Sequence, residues 1–117
     1  MPKDDLVRLR HMLDASEEAV SFIKDQTRSS LDSNRMLALS LVRCVEIIGE
    51  AASQVTKEYK SSNPQIPWPE IVAMRNRLIH AYFDIDLDRV WDTVKDDLPL
   101  LILQLKKIIP GSQPQAK

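Results

Sequence analysis

Nine consecutive residues, Met74-Arg75-Asn76-Arg77-Leu78-Ile79-His80-Ala81-Tyr82, gather two arginines, an asparagine, a histidine and a tyrosine. A guanidinium presents a rigid fork of donors that matches a phosphate. An imidazole gives or takes a proton near neutral pH. Together they are a minimal kit for phosphodiester chemistry. On an ideal helix, at about 100° per residue, Arg75 falls within the apolar arc of Ile71, Val72, Met74, Leu78 and Ile79. Asn76, Arg77 and His80 share the opposite, polar arc, where Asn76 and His80 are neighbours one turn apart. Five steps of that rotation set Arg75 and His80 roughly 140° apart. For both to reach one phosphate, the helix must loosen near His80, or two chains must each contribute one group. The plainer expectation is a buried Arg75 paired to a carboxylate, because a buried charge needs a partner.

The rest of the chain reads as apolar helix that holds this segment. Of 117 residues, 44% are hydrophobic and only two are glycine, a balance that favours helices. The length fits one domain that can bury a core without disulfides or metal. A net charge of −1 argues against a broad basic face for nucleic acid, so any RNA contact has to be local. Cys44, the single cysteine, excludes an internal disulfide, fits a reducing cytosol and reads as a small buried hydrophobe. The N-terminus carries no signal-peptide pattern, and the longest apolar run, 98–103, is too short to span a bilayer.

Apolar periodicity predicts four main helices, with room for a fifth short one. The first covers about 4–25, with Leu6, Leu9, Met12, Leu13, Ser16, Ala19, Val20 and Ile23 on one stripe and His11 at its edge. A polar loop follows at 26–30. The second helix covers about 32–60, capped by Asp32 or Ser33. Its apolar arc spans about half the circumference, so it must pack against several neighbours, with a second copy as one candidate. The remaining stripe holds Arg43, Glu46, Glu50, Ser53 and Gln54. Glu46 and Glu50 are like charges one turn apart and call for a cation, with Arg43 and Arg75 as candidates; a solvated charged stripe is the plainer alternative. Gly49 would permit close helix approach. Pro64 and Pro67 punctuate a turn, and Pro69 starts a third helix that should fade near 81–83. Asp86 caps the fourth helix, whose stripe runs from Leu87 to Ile109 with Pro99 off the core face.

Other chemistries find little support. Two histidines and one cysteine lack paired zinc-ligand spacing. The Asp84/Asp86/Asp88 alternation lacks the glycine and distant glutamate of a calcium loop. There is no glycine-rich phosphate loop. No cofactor is called for.

Arg75, four intervening residues and His80-Ala81-Tyr82 form an ordered series with Glu46-Ile47-Ile48-Gly49-Glu50-Ala51-Ala52, Pro64-Gln65-Ile66-Pro67-Trp68 and Phe83-Asp84-Ile85-Asp86. On these residues the chain resembles the HEPN superfamily, and within it the HepT-like toxins of MNT–HEPN toxin–antitoxin pairs. The resemblance spans nearly the whole chain. It implies an all-α antiparallel bundle: a single HEPN-like domain over 1–110 with a flexible tail at 111–117, dimerising in the cytoplasm. It also implies a metal-independent endoribonuclease that leaves a 2′,3′-cyclic phosphate. In that picture His80 is the general acid or base. Arg75 holds the phosphate and its developing charge, and Asn76 orients one or the other. Arg77, Glu46 and Glu50 are supporting residues. The implied partners are RNA, a second copy of the chain and a nucleotidyltransferase antitoxin that attaches AMP to Tyr82.

Two other readings stay open from the residues. One is a non-catalytic subunit that binds a nucleotide or a nucleotidyltransferase, with Arg75 as a clamp. The other is a structural dimer in which Arg75, sequestered from solvent, pairs with Glu46 or Glu50.

Overall fold

The computed structural model describes residues 3–81 and 84–111. Helix α1 (Lys3–Phe22) opens with Asp4 and Asp5, whose charges suit the positive end of its dipole. A single turn, α2 (Ser30–Ser33), leads into α3 (Arg35–Gln54). Short helices α4 (Lys57–Ser62), α5 (Trp68–Val72) and α6 (Met74–Leu78) follow. The chain then pairs β1 (Ile79–Ala81) with β2 (Asp84–Ile85), antiparallel, and closes with α7 (Leu87–Asp92) and α8 (Leu98–Ile108). The architecture is all-α, as the sequence predicts, with one small hairpin set into it.

The two longest helices run antiparallel. Asp5 near the start of α1 meets Thr56 just past the end of α3, while Phe22 and Met36 line one groove at the opposite end. Leu9 and Met12 of α1, Leu41, Val45 and Ile48 of α3, and Leu98 and Leu105 of α8 are completely buried, and all recur at helical spacing. The wide apolar arc of α3 faces α1 on one side and α5, α6 and α7 on the other, while Met36 and Leu39 stay exposed. Cys44 lies in this core as expected. Burial, followed by the nearby Glu18 carboxylate, pushes its thiol up to about 11, so it stays protonated.

Several expected helix limits move, each for a local reason. Asn34 separates α2 from α3 and is the real cap: its Oδ1 accepts the Leu37 N–H at 3.0 Å, in place of Asp32 or Ser33. The long second helix stops at Gln54 because Val55 turns extended, and α4 starts afresh under a Thr56 cap. The third is cut at Ala73 and ends at Leu78, short of 81–83. In the fourth, Pro99 has no N–H to donate one turn back. The chain absorbs this with a π-helical turn at Thr93–Asp97, and Val90, Val94, Leu98, Leu101 and Leu105 keep one buried face. Of the expected tail at 111–117, residues 112–117 lie outside the described residues.

Asp5 is a buried carboxylate that hydropathy does not reveal. At 1% exposure it accepts from the Thr56 N–H at 2.9 Å and the Thr56 hydroxyl at 2.7 Å. Thr56 Oγ1 in turn accepts the Tyr59 N–H at 3.3 Å. One side chain thus pins the joint between α3 and α4 to α1. Asp5→Ala should lower stability by about 2 kcal/mol, the scale of charged hydrogen bonds lost from a buried position. The shift of the urea-unfolding midpoint measures it.

Candidate active site

The ladder tightens at Ala73, which sits at φ −83° and ψ −4° and accepts the Asn76 N–H on its carbonyl at 3.0 Å. Ile71, Met74 and Leu78 turn inward, whereas Val72 is 41% exposed. The Arg75 side chain is 45% exposed, not buried in the apolar arc as an unbroken helix predicts. Its Nε donates to Glu46 Oε2 at 2.7 Å. Of the carboxylates considered for it, Glu46 is the one that pairs. Gly49, one turn along α3, makes this reach short: a Cβ there would lie 3.2 Å from the Ile71 carbonyl oxygen. Glycine thus eases the close approach of α3 to the end of α5, where a side chain would have to push the Ile71 and Val72 carbonyls back by a few tenths of an ångström.

Arg75 and Glu46 line an open cleft of about 270 Å³ together with Arg43, Glu50, Ser53 and Asn76. Glu46 engages only Nε, so the terminal guanidinium nitrogens have no partner among the described residues. A guanidinium tethered in this way has its fork aimed and still free for an anion. Arg77 departs from the group. It donates to the Glu70 carbonyl and lines a separate groove beside Leu100 and Gln104.

The helix does loosen before His80. Ile79 adopts φ −125° and ψ 115°, and His80 belongs to β1. Asn76 and His80 are consequently not neighbours on one helix. The hairpin folds the chain back: Ile79 pairs with Ile85, and the Asp86 N–H donates to the Leu78 carbonyl at 2.7 Å. This brings Asp86 beside His80, whose Nε2 lies 3.4 Å from Asp86 Oδ2, with the imidazole 60% exposed. The other oxygen, Oδ1, accepts the Arg89 N–H at 3.1 Å and caps α7. That backbone donor, followed by the His80 contact, holds the Asp86 carboxyl below its usual range. An ionised carboxylate only accepts, so Nε2 carries the proton here. In the neutral ring Nδ1 is then the nitrogen left to take one. The sequence shows Asp86 as a cap; its second contact depends on the hairpin.

The structure thus gathers Arg75, Asn76, Glu46 and Glu50 around one cleft and holds His80 on the adjoining strand, outside that lining. Tyr82 lies outside the described residues. Among the described residues no group of three histidine, cysteine or carboxylate side chains is placed to hold a metal ion, and no helix is long and apolar enough to cross a membrane.

Comparison with known proteins adds to this geometry. Residues 12–108 match the family described as Ribonuclease HepT-like. The chain is 34% identical over 110 residues, 93% of its own length and 95% of the relative's, to a protein of Methanocaldococcus jannaschii provisionally named an RNase. It is 37% identical over 95 residues to the probable ribonuclease HepT of Thermococcus cleftensis, covering 78% of this chain and 86% of that one. A further protein provisionally named an RNase, from Caldanaerobacter subterraneus, is 34% identical over 101 residues, 86% of this chain and 90% of the other. No solved structure matches. With most of its length aligned to the family, and with the arginine and histidine of its polar segment held at the surface, the chain belongs to the HepT-like ribonucleases.

Proposed function

We propose that the protein is an endoribonuclease toxin of a HEPN/MNT pair that cuts RNA by transferring the chain to its own 2′-oxygen. The observation that carries this is a half-exposed guanidinium tethered only through Nε, on a segment that also presents an exposed, carboxylate-bound imidazole. A fully sequestered Arg75 would have favoured a structural ion pair; its exposure favours phosphate.

In the reaction the ribose 2′-oxygen bonds to phosphorus and the 5′-oxygen leaves, giving a 2′,3′-cyclic phosphate. One proton leaves the 2′-hydroxyl and one must reach the departing oxygen. His80 moves protons, taking the first through Nδ1. Asp86 holds the ring, and Arg75 carries the charge that builds on the phosphoryl oxygens. Asn76 positions the phosphate, Glu46 aims Arg75, and Glu50 and Arg77 play supporting parts. Each chain offers one such imidazole and the cleavage has two proton transfers, which supports a composite cleft shared by two copies. A nucleotidyltransferase antitoxin would silence it by placing AMP on Tyr82, two residues from His80, where a bulky anion repels the substrate phosphate. Residues 1–110 act as one unit in this scheme.

The chemistry needs no metal, because guanidinium and imidazole supply the charge and the proton traffic. Purified protein is expected to cleave single-stranded RNA in excess EDTA and leave cyclic-phosphate ends, seen as acid-labile termini by mass spectrometry. Cleavage that stops with chelation and returns with a divalent ion would refute the mechanism. Nucleotide binding without cleavage would favour the non-catalytic subunit.

A further inference from the structure

On the face of α3 next to the Arg75 cleft, a second depression of about 320 Å³ opens between α1 and α3. Its volume falls within the range of small-molecule sites. Ile47 and Ala51 form an apolar floor; Arg8 and His11 of α1 face Glu50 and Gln54 of α3. Helical spacing explains the pairing of walls: Arg8 and His11 are three residues apart, Glu50 and Gln54 four. Three observations point to a ligand. Arg8 Nε is buried with no hydrogen-bond acceptor among the described residues, and a buried donor is rarely left so. His11 is exposed and carries no ion pair among them. Glu50 lines both this depression and the Arg75 cleft, so the two are contiguous across one side chain.

The lining has the parts that one nucleotide needs. Two cationic or protonatable groups suit a phosphate. A flat apolar floor suits the face of a base. A carboxylate and an amide suit its hydrogen-bonding edge, the edge by which single-stranded RNA is read. We propose that this depression is a second nucleotide subsite for the RNA strand. Arg8 and His11 hold a phosphate flanking the scissile one, and Glu50 with Gln54 receives the N–H edge of the neighbouring base. The proposal rests on the ribonuclease reading and deepens it: the enzyme grips more than the bond it cuts, and it prefers strands extended past that bond on one side.

The test uses non-cleavable 2′-O-methyl oligonucleotides of two lengths: a dinucleotide with the scissile linkage alone, and strands extended by three nucleotides on the 5′ or the 3′ side. For the parent, extension on one side should tighten binding by about tenfold, the size of one charge-assisted hydrogen bond. In His11→Ala and Gln54→Ala, both exposed positions whose variants should fold, that ratio should collapse toward one. Circular dichroism checks the fold. A ratio unchanged in both variants overturns the subsite while leaving the nuclease intact. A parent that binds none of the strands and cuts no RNA overturns the nuclease reading itself, and the subsite with it.

Discussion

His80→Ala should cut RNA roughly 10²- to 10⁴-fold more slowly than the parent, the range a positioned general acid–base supplies. The melting temperature should barely move, because the ring is 60% exposed and its recorded side-chain contact is Asp86. Single-turnover cleavage of a short labelled RNA measures the first; a thermal melt measures the second. An equally active variant would remove His80 from the mechanism. Asp86→Asn isolates the same arrangement from a different direction. Asparagine caps helices as well as aspartate, so α7 keeps its N-terminal hydrogen bond and only the charge beside the imidazole is lost. A rate loss of roughly tenfold or more is expected, with only a small loss of stability from the missing charge. Acid has a related but separate effect. The Asp86 carboxyl is depressed in the folded chain, chiefly by the Arg89 N–H and also by His80. Its stabilising contribution is therefore complete above the unfolded-state value and disappears only as pH falls through the lower, folded one.

Arg75→Ala is the second large effect. Removing a preorganised donor to developing negative charge costs roughly 10²- to 10³-fold in turnover. The loss should appear in kcat more than in KM, because Arg75 meets the phosphate most strongly as charge builds. Lysine at the same position should recover little. It presents one point charge and lacks the planar fork that lets Nε stay on Glu46 while the terminal nitrogens face the cleft. Folding should survive both changes: the partner Glu46 remains 30% exposed, so water can solvate it once the pair is gone. Steady-state kinetics on one oligonucleotide, run beside urea unfolding, distinguishes this outcome from a structural role. A variant that unfolds and yet cuts at the parental rate per folded molecule would show Arg75 to be a strut.

Much of this was legible in the residues. Periodicity gave α1, α3 and α8 their inward faces, and Asp86 announced the start of α7. The angular mismatch between Arg75 and His80 on a continuous helix called for a loosened helix near His80 or a contribution from two chains, and the chain does leave the helix at Ile79. What stayed hidden depends on contacts distant in sequence. Nothing in Val72-Ala73-Met74 marks a helix break, yet α5 ends at Val72 and α6 begins at Met74. Asp5 reads as an ordinary first-turn acid until Thr56 is brought against it. Asp86 has one role visible in its neighbours and another visible only once the hairpin returns it to His80. Arg77 sits on the expected polar arc, yet its guanidinium turns back to the Glu70 carbonyl.

The tether between Arg75 and Glu46 has a consequence for how substrate arrives. A cation already matched by an adjacent anion projects little field beyond the ionic atmosphere of the solution, and a chain of net charge −1 adds no attraction of its own. RNA is therefore not drawn in from a distance, and encounters occur at the rate of ordinary, unsteered collision. Discrimination happens on contact, when a phosphate outcompetes water for the two unclaimed nitrogens.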